Sequence, residues 1–398
     1  MKAVNLFLRQ GCHMKRYFVL PAAVIIQTCL GGVYAWSSFV PCLYSDYSLS
    51  SGSCQMIFGI TIATFAITMV FAGRKMDKWG ARIMCILCGI LFLTGYVVAS
   101  ASRGLFPWLV AGFSVIGGAA IGFGYVSSLS NAVKWFPKHK GLVSGIAVAG
   151  FGAGAIILSN LAEFWLENGW SVLRIFRVIG ISYGVTICAC ALLLFKPPEP
   201  EASGNKHLRP ISELLQDRIF RALAFGLFCG TFAGLLVIGN LKPIGIDSGL
   251  EPGFAAIAIS IFAIGNGLGR IGWGWVSDRL HFLSIPLSLL FLGVSLIILL
   301  IGRTMGPVFL ASALLTGAGF GACFVVYVSV VASRYGQQGV GGVYPLVFLA
   351  YGVAAITGPP TGGKIFDVTD SYTGSIIISI VIVFIGAAIL SRKNLREK

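Results

Sequence analysis

The sequence predicts an all-α integral membrane protein with twelve transmembrane helices in two pseudo-symmetric six-helix bundles. Three observations carry this. Of 398 residues, 57% are hydrophobic and 11% charged, with a mean hydropathy of +0.88, whereas a soluble domain carries about 25% charged residues. Apolar runs recur at a length of roughly 20 residues, which a helix rising about 1.5 Å per residue needs to cross about 30 Å of hydrocarbon. A short polar loop motif also occurs twice, half a chain apart.

The elements follow in order. Residues 1–16 form a cytoplasmic N-terminal segment with Lys2, Arg9, Lys15 and Arg16; the stretch before Met14 is expected to be disordered or to precede the true start. The next run, YFVLPAAVIIQTCLGGVYAW, is longer than a signal-peptide core and lacks a small-x-small cleavage site, so it is a retained first helix. Runs near 17–39, 54–73, 83–101, 107–131, 141–162 and 173–195 make the N-terminal bundle, 17–195. Pro and charge fill 196–218, KPPEPEASGNKHLRPISELLQDR, a cytoplasmic linker ending in a short amphipathic helix. Runs near 219–240, 254–275, 283–302, 307–331, 341–361 and 373–391 make the C-terminal bundle, 219–391, before a cytoplasmic tail at 392–398.

A formal charge of +15 in a soluble protein would suggest nucleic acid, but here its distribution is topological. Basic residues fill alternate loops: Arg74, Lys75, Lys78 and Arg82, then Lys134, Lys138 and Lys140, then the linker, Arg279, Arg334 and the tail. The opposite loops hold little beyond Arg103, Arg174, Arg177, Lys242, Arg303 and Lys364. Both termini are therefore expected in the cytoplasm of a multi-pass protein of the cell membrane.

The repeated motif is GRKMDKWGAR after the second run and GWVSDRLHF after the eighth, with Asp77 and Asp278 in matching places 201 residues apart. Gly73, Asp77, Arg82, Asp278 and Arg279 are expected to be gating or structural loop residues. Related loops at the same place in two halves imply a duplicated bundle with its ligand between the halves near mid-membrane. Gly226, Gly230 and Gly234, and the glycines at 145, 150, 152 and 154, let backbones approach closely, either for packing or so that bundles can rock.

Seven of the cysteines lie in apolar runs as small hydrophobes, and Cys85 and Cys88 lack the second pair or nearby His that a metal or redox site needs. Only Cys42 and Cys54 share an external loop in which they could pair. No metal or cofactor is expected. The GLGRIG at Gly267–Gly272 has no strand in front of it, and GPPTGGKI, 358–365, has Ile where a P-loop needs Ser or Thr, so neither binds a nucleotide. No paired carboxylates, ligand cluster or nucleophile with a base stands at one depth, so the chain is not read as an enzyme.

All fourteen Asp and Glu sit in loops or at helix ends, and His13, His139, His207 and His281 fall in cytoplasmic segments. The usual intramembrane proton relay is missing. Arg270 is the one basic residue well inside a span. Its head could snorkel to the surface, or face a cavity, which is where a mid-membrane Arg is tolerated. With no carboxylate in the membrane to pair with it, the simplest counter-ion is an anionic substrate held by the guanidinium fork. Tyr34, Trp36, Tyr125, Phe320, Phe324, Phe348 and Tyr351 are candidate cavity aromatics; Phe320 with Phe324, and Phe348 with Tyr351, are spaced to share a helix face.

At these residues the chain resembles the major facilitator superfamily. GRKMDKWGAR is similar to its cytoplasmic loop signature, and GWVSDRLHF to the weaker copy in the second half. The resemblance is closer to the oxalate:formate antiporter and monocarboxylate-transporter-like family. It is carried by GGVYAWSSF, GFGYVSSLSNAVKWFPKHKGLVSGIAVAGFGAG, NGLGRIGWGWVSD and LAYGVAAITGP, and covers nearly the whole chain from Met14. It implies that Arg270 binds substrate, with Tyr34, Gln55, Tyr125, Phe320, Phe324 and Phe348 as pocket walls and Phe151 where the oxalate carrier has a tyrosine. Tyr351 stands where that carrier has a second cation, a lysine. One guanidinium would leave one charge of oxalate uncompensated in a dry pocket, at a cost of several kcal/mol. The expected substrate is thus a small monocarboxylate such as pyruvate, lactate or formate, with Tyr351 donating a hydrogen bond or closing the cavity. Exchange or uniport by a functional monomer is expected; a dicarboxylate antiporter and a transporter-like anion sensor are the alternatives.

Overall fold

A computed structural model describes residues 2–136, 140–196 and 211–391. The linker at 197–210 with His207, the tail at 392–398, and Lys138 and His139 lie outside the described residues, as do the side chains of Asp77 and His13. The described residues form helices joined by short turns. The first helix is Lys2–Gly31, continued as a 3-10 helix over Gly32–Ser38, and its apolar span is Arg16–Ser38. Ser51–Ser100 supplies the second and third, broken at Gly80, whose φ of 75° and ψ of 156° interrupt the helix. The fourth runs through Phe106–Leu109, a π-helical stretch Val110–Gly117, and Gly118–Trp135. Lys140–Glu167 and Val172–Leu192 are the fifth and sixth.

Arg218–Asp247, Pro252–Leu280 and Ser284–Gly302 are the seventh to ninth. The tenth is Gly306–Ala322 and, past a break, Val326–Gly342; Tyr344–Thr369 and Thr373–Leu390 complete the set. By length and hydropathy alone, ten stretches qualify as spans, and one of these, 252–302, contains both the eighth and ninth helices. The eleventh fails that test because GPPTGGK dilutes its apolar residues, yet it is 26 residues long and packs along the second span at the centre of the molecule. Twelve crossings also return both described chain ends to one face of the molecule.

The duplication legible in the loop motif extends to the backbone. Left-handed residues occur at Ser48 and Gly249, at Gly80 and His281, and at Gly169 and Asp370. Each pair is 201 positions apart, the offset of Asp77 and Asp278. The two halves therefore turn at the same registers, three times over, although their sequences have diverged. His281 and Asp370 occupy φ of 46° and 50° where the first half uses glycine, a conformation that costs a non-glycine residue of order 1 kcal/mol or more.

Glycine sets how closely the rods approach. A methyl group on Gly31 or Gly154 would overlap the backbone carbonyls of Phe151 and Thr28, so the first and fifth spans cross backbone to backbone. In the other half, Gly226, Gly230 and Gly234 seat Tyr327, Cys323 and Phe320 of the tenth span. That stripe serves packing, and it fixes Phe320 beside the centre. The halves meet along two seams, the second span against the eleventh and the fifth against the eighth.

Candidate functional site

Arg270 lies on the eighth span, four residues after Asn266 and so on the same helix face. Its Nε donates to Asn266 Oδ1 at 3.0 Å, and its guanidinium carbon sits 4.5 Å from the centroid of the Phe324 ring. Cation–π attraction of this kind contributes about 0.5–2 kcal/mol, more as water is excluded. The half-buried head thus turns inward over an aromatic face instead of snorkelling to the surface. Among the described residues no carboxylate stands within ion-pair distance of it.

The guanidinium opens onto a small cavity on the seam. Tyr34, Phe151, Gly152 and Ala155 come from the first half, and Ile238, Phe262, Ala263 and Asn266 from the second. Its water-accessible space is about 10 Å³, roughly what one water requires. Beside it the Tyr34 and Tyr351 hydroxyls share a hydrogen bond of 2.7 Å across the seam.

Ring contacts join most of the sequence-predicted walls into one cage. Phe320 packs on Phe324 at 5.1 Å and Phe348 on Tyr351 at 5.0 Å, as their spacing predicted. Tyr34 meets Phe151 at 5.5 Å and Phe320 at 6.2 Å, and Tyr125 meets Phe151 edge-on at 5.4 Å. Phe65, which sequence reasoning missed, bridges Tyr125 and Tyr351.

Two expected members stand elsewhere. Trp36 is packed inside the N-terminal bundle against Phe113 and Phe176, because residues two apart on a helix do not share a face with Tyr34. Gln55 is buried on the seam, but its Nε2 donates to the Gly239 carbonyl at 2.7 Å, away from the cavity lining. Of the loop residues, Gly73 lies near Val126, Arg82 lies over the Phe195 ring and Arg279 over Trp275, while Asp278 is exposed. Cys42 and Cys54 carry free thiols.

A second charged feature departs from the sequence reading. Lys242, expected in a loop, is inside the seventh span and 3% exposed. Its Nζ contacts both carboxylate oxygens of Glu163 on the fifth span, at 2.6 and 2.8 Å. On the same face, opposite the termini, Asp367 accepts from the N–H groups of Ser51 and Gly52 at 2.8 and 2.7 Å, at the N-terminus of the second span. An anion there is favoured by the helix dipole. The Ser51 and Tyr372 hydroxyls, and Asn160 with Ser260, add further bonds across the halves.

The family model described as Major Facilitator Superfamily matches residues 22–282 and 223–397. The MFS-type transporter YhjX of Escherichia coli (strain K12) is 28% identical over 86% of this chain and 86% of its own. The oxalate:formate antiporter of Oxalobacter formigenes is 26% identical over 89% of this chain and 86% of its own. Human monocarboxylate transporter 11 is 24% identical over 88% and 76%. Among solved structures, a bacterial homologue of the human lysosomal transporter Spinster superposes with a TM-score of 0.70 at 17% identity, covering 94% of this chain and 96% of that one. The xylose transporter XylE of E. coli gives 0.68 at 14%, covering 95% and 97%.

Proposed function

The chain belongs to the Major Facilitator Superfamily, and from that premise we propose that it moves small monocarboxylates, such as pyruvate, lactate or formate, across the cell membrane by alternating access. One observation carries the reading: Arg270 is a permanent cation at the seam, held by Asn266 and Phe324 and without a carboxylate partner among the described residues. An arginine so placed is stabilised by a cavity and an anion. The other cation drawn into the seam, Lys242, is already neutralised by Glu163. The centre therefore offers one net positive charge. This favours a monoanion over the dianion suggested by the name of the Oxalobacter relative.

In this reading both termini are cytoplasmic and a single chain holds a complete site. The bonds of Lys242, Asp367 and Gln55 close the external face in the state described. Space for about one water is less than a carboxylic acid needs, so the halves part toward the cytoplasm to load. Transport is exchange or uniport, because among the described residues no Asp, Glu or His lines the central cavity. Counterflow in proteoliposomes with labelled mono- and dicarboxylates, with and without a pH gradient, tests this. Arg270→Gln is expected to abolish monocarboxylate exchange while the protein still inserts; exchange at the wild-type rate refutes the assignment.

A further inference from the structure

The amide of Asn266 is oriented by chemistry. Arg270 Nε–H can only donate, so the atom it meets must be the carbonyl oxygen, and the NH₂ end necessarily faces the other way. That Nδ2 is buried and has no hydrogen-bond partner, on a side chain only 6% exposed that lines the cavity beside the guanidinium. A buried donor left unpaired costs about 1–3 kcal/mol. The same cavity wall carries Tyr34. Its hydroxyl and that of Tyr351 are hydrogen-bonded, one donating to the other, so the accepting hydroxyl of the pair keeps its own proton free.

The lining thus presents two groups that can only donate there, the guanidinium and the Asn266 Nδ2, beside the Tyr34–Tyr351 hydroxyl pair. The amide's acceptor oxygen is already engaged by Arg270, and the rest of the wall is apolar, with Phe151, Ala155, Ile238 and Phe262. A ligand that satisfies this array has acceptor oxygens grouped at one end and a short apolar tail at the other. A simple alkanoate supplies two oxygens to the guanidinium and leaves Asn266 unpaired. A 2-oxo acid supplies a third oxygen next to the carboxylate, and all three are acceptors.

We propose that Asn266 is a specificity-determining residue whose Nδ2 donates to the 2-oxo oxygen of a short 2-oxo monocarboxylate while Arg270 holds the carboxylate. The inference rests on the reading that Arg270 receives the substrate. Its test is competition of pyruvate and propionate, acids of equal chain length, for counterflow by the full-length protein in proteoliposomes. Wild-type protein is expected to favour pyruvate by about tenfold or more, because a site built to hydrogen-bond a substrate group rejects the analogue lacking it. In Asn266→Leu the pyruvate-to-propionate ratio is expected to fall about tenfold, whereas a merely structural lesion would weaken both acids together and leave the ratio unchanged.

A wild-type ratio near one overturns the inference without recourse to any variant, as does an unaltered ratio in Asn266→Leu. Arg270→Gln run alongside separates the two levels. If it exchanges both acids normally, the underlying site assignment fails. If it is inactive while the Asn266→Leu ratio stays at the wild-type value, only the role of Asn266 fails.

Discussion

Lys242 and Glu163 form an electrostatic latch, and its strength can be worked from burial. Their side chains are 4% and 17% exposed and belong to opposite halves, so under the alternating access proposed above the pair exists only while the face opposite the termini is shut. Removing one partner of a buried pair costs about 3–5 kcal/mol, because the remaining charge is stranded. When the halves part, water hydrates that charge and the cost disappears. Glu163→Leu should therefore penalise the closed state alone, by about 3 kcal/mol, shifting the equilibrium toward opening by roughly 100-fold. Replacing both partners, Glu163→Leu with Lys242→Met, leaves no stranded charge and should restore closure, since apolar pairs of similar volume commonly match or exceed a buried ion pair. The reporter is Ser159→Cys, a position 2% exposed one turn from Glu163, in a background without Cys42 and Cys54. A membrane-impermeant maleimide added from the opposite face should label it much faster in the single variant and at near the parent rate in the double. Equal labelling of parent and single variant, or a double variant as reactive as the single, would refute the latch.

Tyr351→Lys places a second cation in the cage beside Tyr34, so competition should shift from monocarboxylates toward oxalate in counterflow; unchanged selectivity would remove the charge-count argument. Asp217 caps the seventh span through Ile219 N–H at 2.8 Å and accepts from Tyr335 Oη at 2.7 Å. Burial pushes its carboxyl up, but these donors, with Phe220 N–H and the charge of Arg334, outweigh burial and hold it below the usual carboxylate value. A depressed folded value stabilises above the unfolded value, about 3.9, and is lost as pH falls through the folded one. Asp217→Asn should thus unfold at lower temperature than wild type near pH 7, with the gap closing below about pH 4; a gap that widens on acidification contradicts the assignment.

How much of the fold and site is legible in the sequence turns on what a periodic pattern encodes. Span lengths follow from hydropathy, and the 201-residue offset of two loop aspartates foretold a backbone repeat that reaches turns with no motif in common, such as Ser48 and Gly249. Arg270 stood out because a charge inside an apolar run is costly. Asn266 did not, although it lies one turn earlier on the same face: a neutral amide barely lowers hydropathy, and its importance comes from one hydrogen bond and one bond left unmade. The pairing of Lys242 with Glu163 is hidden from the sequence for a related reason. Each lies near a helix end, where a charge is ordinary, and nothing in one chain's linear order says that two ends 79 residues apart are pressed together.

The same pairing decides what the centre can recognise. Among the described residues, a count of basic residues near the seam gives Arg270 and Lys242, which would suit a dianion; a count of those without a carboxylate partner gives Arg270. The net charge that a ligand meets, and not the number of cations, sets the balance between its desolvation and its attraction. Among the described residues no Asp, Glu or His lines the central cavity, and an arginine side chain stays protonated at physiological pH. In the transport proposed here a proton would then travel on the acid itself, so a pH gradient should act on the fraction of substrate ionised and leave the affinity of the site for the anion unchanged.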